Sequence, residues 1–178
     1  MPATQEITES LIRENIVRAM SEVFKTMLSK STTLAQPPVP GKESSWPPLP
    51  PSTPEQATPQ VVGTVGFLGD ANGLIYLYFD APFANECTRQ ILGMSQSELD
   101  DGGDEYVNDA VGELTNMIVG CFKNGLCDAG YPCKLTIPSI LRGRNFCIEP
   151  ISSTQRYIYS FDSGGHKVVA DILMNNED

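Results

Sequence analysis

One histidine, one tryptophan and no CxxC pair in 178 residues are shortages that narrow the chemistry. A Ser-His-Asp hydrolase or a His-rich metal centre would have to be built on His166 alone. That residue follows Gly164-Gly165 at the start of an expected strand, with no second imidazole to join it. The cysteines are five, at positions 87, 121, 127, 133 and 147. An odd number without paired spacing indicates neither a disulfide framework nor a zinc ribbon. They read as reduced, packed thiols; a second reading pairs Cys127 with Cys133 across a turn under oxidation. Basic residues are also few, 12 against 22 acids, for a net charge of −10. Without a basic patch, nucleic acid and anionic membrane surfaces are poor partners. No apolar run approaches the roughly 18 residues of a membrane span, and no signal-peptide pattern opens the chain. The expectation is a cytoplasmic protein.

Proline, by contrast, is abundant in one place. Nine of the 14 fall between Pro37 and Pro59, where regular structure is all but impossible. Residues 34–60 therefore read as an extended connector. Trp46-Pro47-Pro48-Leu49-Pro50-Pro51 either pins it to the surface or docks into a Pro-recognition module. The remaining sequence, 40% hydrophobic overall, suits one domain with a real core. Residues 1–33 supply its N-terminal helix and 61–178 its remainder.

The central stretch is Glu105 to Leu126. Val107, Ala110, Val111, Leu114, Met117, Ile118, Cys121 and Phe122 recur at helical spacing and form one broad buried arc. Asp109, Glu113, Asn116 and Gly120 fall on a separate narrow arc. Glu113 and Asn116, three residues apart, thus point the same way and away from the core. Small Gly112 and Gly120 beside them leave room for another surface.

Along the chain, residues 5–30 form a helix with an apolar face of Ile7, Leu11, Ile16, Met20, Val23, Phe24 and Met27. Val61–Gly69 and Leu74–Asp80 are strands joined by the hairpin signal Asn72-Gly73. Pro82 opens a helix to Leu92, which Gly93 ends. Ser95 to Asp104 reads as an acidic loop without the ligand spacing of an EF-hand. Gly125 to Tyr131 reads as a turn and Cys133–Ile137 as a short strand broken at Pro138. Pro138 to Asn145 reads as a loop or broken edge, with Arg142 and Arg144 the local basic pair. Phe146–Ile151 is another expected strand. Tyr157–Phe161 and Val168–Met174 form a closing hairpin. The expected class is α+β (mixed α/β), an antiparallel sheet layered with long helices.

Three stretches together carry a family likeness: GTVGFLGDANGLIYLYFD, VNDAVGELTNMIVGCFKNGL, and the tail from LTIPSILRG to the terminal hairpin. They resemble the CheX-type chemotaxis phosphatases, within the wider group of CheC and FliY proteins. The likeness extends over all but the Pro-rich segment, and it implies a CheC/CheX-like fold. The family signature Glu-x-x-Asn stands here as Glu113-Leu114-Thr115-Asn116. CheC members usually carry two such motifs. The corresponding helix, Pro82–Leu92, has Glu86 and Arg89 instead, which favours CheX.

The resemblance implies a phosphatase for the aspartyl phosphate of a CheY-like response regulator. Asn116 orients a water for in-line attack, and Glu113 pairs with the regulator's lysine. No cofactor of its own is implied, since the regulator supplies Mg²⁺. A homodimer through a continuous sheet is implied as well. The alternative is a non-enzymatic module of the same fold that binds a response regulator or acts as a scaffold.

Overall fold

A computed structural model describes residues 6–35, 58–146 and 148–175. The Pro-rich connector, with both readings of Trp46, and Cys147 lie outside the described residues. The described ends of the connector meet strands: Leu34 closes β1 (Thr33–Leu34) and Gln60 opens β2 (Gln60–Gly69).

Two long hairpins form the middle of the sheet. In the first, β2 pairs with β3 (Gly73–Asp80) across residues 70–72, and Gly73 of the expected Asn72-Gly73 turn is already a strand residue opposite Phe67. The Asn72 carboxamide oxygen accepts from Gly69 N at 3.0 Å, which stabilises that turn. In the second, β6 (Thr154–Ser163) pairs with β7 (His166–Asn175). Gly164 and Gly165 between them both take positive φ, 59° and 84°, as a tight hairpin turn requires. Antiparallel pairing of β3 with β7 joins the hairpins. Among the described residues the sheet has seven strands in the order β1-β6-β7-β3-β2-β4, and β5 also lies on β2.

β4 (Cys133–Leu135) and β5 (Ser139–Gly143) form one interrupted edge along β2. Leu135 pairs with Phe67, and Ser139 pairs with Thr64. Thr136 N donates to Gly66 O at 2.8 Å. Ile137 and Pro138 are thus left together opposite Val65, the two-against-one count of a β-bulge. Pro138 has no N–H to leave unpaired there. Of the two readings of residues 138–145, the broken edge is the one observed. The strand expected over 146–151 does not form in its described residues. Phe146 and Ile148 instead pack on Val62, Tyr78 and Val169 on the sheet's outer face. Their apolar side chains cover the sheet rather than extend it.

The inner face carries Val61, Val65, Phe67, Ile75, Leu77, Phe79, Val168, Ala170 and Ile172, all buried under the helices. α1 (Glu9–Leu28) starts at Thr8, whose side chain accepts from Leu11 N. Its buried face uses Ile12 and Leu28, with Leu11 and Met27 at the margin. α2 (Ala81–Leu92) is capped by Asp80, which accepts from Phe83 N at 2.7 Å, and ends at left-handed Gly93. The acidic loop expected at 95–104 is instead largely a short helix, α3 (Gln96–Gly102). Ser95 and Glu98 form a reciprocal capping box, and Leu99 is buried. α4 (Asp104–Asp128) runs past the expected end and takes in the first part of the expected turn.

α4 lies against β2 where the sheet has no side chain to hold it off. A Cβ on Gly63 would overlap the Thr115 hydroxyl. Thr115 is fully buried, and its Oγ1 donates to Val111 O at 2.7 Å. This contact fixes the height of α4 above the sheet in the middle of residues 113–116. Gly63→Ala is expected to lower stability by about 1–3 kcal/mol, read as a lower thermal midpoint. An unchanged midpoint would show that the contact is slack.

Candidate functional site

The buried arc of α4 comprises Val107, Ala110, Val111, Leu114, Ile118 and Phe122, joined by Thr115, Val119 and Leu126. Met117 and Cys121 are half-buried at its edge. Glu113 is exposed and Asn116 half-buried. At this spacing their Cβ atoms stand about 5–6 Å apart on one face. Among the described residues, neither side chain has a hydrogen-bond or ion-pair partner. An unpartnered carboxylate and carboxamide, on a helix whose other side is fixed, form a small rigid polar probe. The carboxylate can take a cation or a donor. The amide oxygen can accept while its NH₂ donates.

Gly112 and Gly120 do not simply leave open room. A Cβ on Gly112 would come within 3.9 Å of Ile140, and one on Gly120 within 3.7 Å of Leu135. Both distances are ordinary van der Waals contacts, so this chain's own edge strand lies beside α4 on either side of Asn116. In the sequence the two glycines read as clearance for a partner; which strand passes beside them depends on a register distant in the chain.

Arg142, noted in the sequence only as half of a basic pair, has a positioning task. Its Nε donates to Asn108 Oδ1 at 2.6 Å and an NH₂ donates to Asp104 O at 3.1 Å. Its other terminal nitrogen lies 3.3 Å from Asp104 Oδ1. One guanidinium thus ties the first turns of α4 to β5. Thr115 and Gly63 were likewise missed as positioning residues. The only sequence sign of that contact was a buried-spaced threonine inside the motif and a glycine in the facing strand.

α2, the counterpart that lacks the second motif, is closed off. Lys30 Nζ donates to Glu86 Oε1 at 2.6 Å, and His166 Nε2 lies 3.3 Å from Glu86 Oε2. The hydrogen bond from Lys30, aided by the charges of Lys30, His166 and Arg89, holds the Glu86 carboxyl below its ordinary value against a desolvation that raises it. Arg89 reaches Gln96 Oε1 at 3.4 Å. His166 stacks on Phe83 with ring centroids 4.4 Å apart, so the lone histidine serves this internal cluster. The four described cysteines are free thiols, and Cys127 Sγ faces the Cys133 carbonyl at 3.9 Å. Burial pushes the Cys87 thiol up to about 12. Among the described residues, no group of three His, Cys, Asp or Glu side chains is placed to hold a metal ion. No described helix is long and apolar enough to cross a membrane.

A family model described as chemotaxis phosphatase CheX matches residues 61–162. No protein with a curated description matches. Among solved structures, a chemotaxis protein CheX from Desulfovibrio desulfuricans aligns with TM-score 0.72 and 23% identity, over 92% of this chain and 99% of that one. A CheC-like superfamily protein from Shewanella sp. PV-4 aligns with TM-score 0.73 and 25% identity, over 95% and 100%. The CheX–CheY–BeF₃–Mg²⁺ complex from Borrelia burgdorferi contributes a chain with TM-score 0.65 and 20% identity, over 93% and 98%.

Two outcomes follow from this geometry. Glu113→Gln and Asn116→Ala should leave unfolding free energy within about 0.5 kcal/mol of wild type, as checked by urea titration. A large loss would mean that these side chains hold the fold. The depressed Glu86 carboxyl stabilises the fold above its ordinary value of 4.5, and that contribution fades as pH falls through the lowered folded value. Wild type should therefore exceed Glu86→Gln in thermal midpoint near pH 6 and lose the advantage in stronger acid. The gap should be small, because the pair is partly solvated.

Proposed function

This chain belongs to the CheX family of chemotaxis phosphatases, and from that premise we propose that it hydrolyses the aspartyl phosphate of a CheY-like response regulator. The observation that carries the reading is the Glu113–Asn116 pair, unpartnered among the described residues, on the outward stripe of α4 and held in place by Thr115 against Gly63. The Borrelia relative was solved with a CheY bearing BeF₃ and Mg²⁺, which supports a regulator as the partner.

In the proposed reaction, water oxygen attacks phosphorus in line. The bond from phosphorus to the aspartyl oxygen breaks, releasing the regulator's carboxylate and inorganic phosphate. The Asn116 amide oxygen accepts from the attacking water, and its NH₂ donates to a neighbouring oxygen. An amide is too weak a base to take the proton, which leaves with the phosphate. Its contribution is position, which is most of what phosphoryl transfer asks of a protein. Glu113 accepts from the regulator's lysine and so sets the register of the docked pair. Mg²⁺ belongs to the regulator, where it neutralises charge on the phosphoryl group.

The contrast with α2 supports a single site. Glu86 is engaged by Lys30 and His166, whereas Glu113 is free to meet a partner. A response-regulator substrate assigns the work to the cytoplasm. For the proposed homodimer, the sheet edges among the described residues are β1 and the β4–β5 strand.

Asn116→Ala should keep regulator binding and lower the rate by about 10²–10³, as for loss of one well-placed polar group. Glu113→Ala should weaken both binding and rate. Phosphate release from a phosphorylated CheY-like regulator, measured with each variant, checks both. Full activity in Asn116→Ala would remove the water-positioning role. Tight binding by wild type without acceleration would favour a non-enzymatic docking module.

A further inference from the structure

We propose that Ile137, displayed on the edge-strand bulge beside Asn116, is an apolar docking residue for the response regulator. This rests on the functional reading above and adds to it the part of the surface that supplies affinity.

Gly112 faces Ile140 and Gly120 faces Leu135. The eight-residue step along α4 rises about 12 Å. On the sheet, Ile140 pairs with Gly63 and Leu135 with Phe67, a four-residue step of about 13 Å. The helix and the edge strand therefore run side by side in matched length. Asn116 falls midway on the helix, and residues 137–138 fall midway on the strand. The site residue and the bulge are abreast.

The bulge changes what that edge presents. Leu135 and Ile140 are partly buried against the core. Ile137 between them is 87% exposed, the largest exposure among the large hydrophobic side chains described. Among the described residues no strand pairs beyond this edge, so the Ile137 side chain is open to a partner. The bulge that carries it lies abreast of an acidic and amide stripe that can orient a partner but buries little apolar surface. Polar groups that fix orientation, set beside an apolar anchor, are the usual division of work at a protein interface. The occupant this surface fits is the proposed regulator, presenting an apolar patch next to its phosphorylated aspartate.

The test compares Ile137→Asp, Ile137→Val and Asn116→Ala with wild type. One readout is phosphate release from a phosphorylated CheY-like regulator of the same organism. The other is titration with that regulator loaded with beryllofluoride and Mg²⁺. Ile137→Asp should raise KM and Kd by about tenfold or more while kcat and thermal midpoint stay at wild-type values. Ile137→Val should stay close to wild type. Asn116→Ala should show the opposite split, with kcat lost and KM nearly kept. Wild-type KM and Kd in Ile137→Asp would overturn the docking role while leaving the phosphatase reading intact. If wild type binds without turnover, the phosphatase reading fails and the Kd of Ile137→Asp still decides the docking role. If wild type binds no regulator, both are overturned.

Discussion

The close approach of α4 to β2 at Gly63 and Thr115 is the contact on which the rest depends. A helix seated on a sheet is ordinarily held off by the side chains between them. Here the strand contributes a hydrogen and the helix a small β-branched residue whose hydroxyl is satisfied within its own turn. The helix sits low at the centre of the Glu-x-x-Asn turn. The two middle residues of the motif, Leu114 and Thr115, are fully buried, so Glu113 and Asn116 fall on the outward side, Glu113 exposed and Asn116 half-buried. Arg142 then fixes the N-terminal turns against β5. A side chain that must place one water gains most when its backbone cannot drift.

The two helices that could each have carried a motif show how the chain commits to one. On α2 the carboxylate is tied to Lys30 from the end of α1 and to His166 from the start of β7. Its charge serves to join three elements of the fold. On α4 the carboxylate has no internal partner among the described residues. A net charge of −10 gives no general attraction toward an acidic regulator. In the proposed reading, local complementarity at Glu113 and apolar contact supply the recognition.

Much of this was legible in the sequence, for definite physical reasons. The central helix announced itself by its 3.6-residue period, and the hairpins by alternation around Asn-Gly and Gly-Gly. Such signals depend only on local geometry. Ser95-x-x-Glu98 was equally local and was passed over, because the acids after it suggested a solvated loop. The edge strand was harder: Pro138 masked a bulge that exists only because β2 supplies hydrogen bonds on both sides of it. Phe146 and Ile148 looked like strand residues, yet the outer face of the sheet claimed them. Glu113 and Asn116 could be placed on the exposed face from spacing. What holds that face, and what lies beside it, required the register of strands distant in sequence.

The central claim is that α4 presents a catalyst rather than a passive contact. Its most direct measurement is the decay of a phosphorylated CheY-like regulator mixed with a small fraction of its molar amount of this protein. The account predicts accelerated decay, with many phosphates released per molecule and a rate that saturates as regulator is raised. Decay no faster than the regulator alone, at concentrations where the two bind, would contradict it.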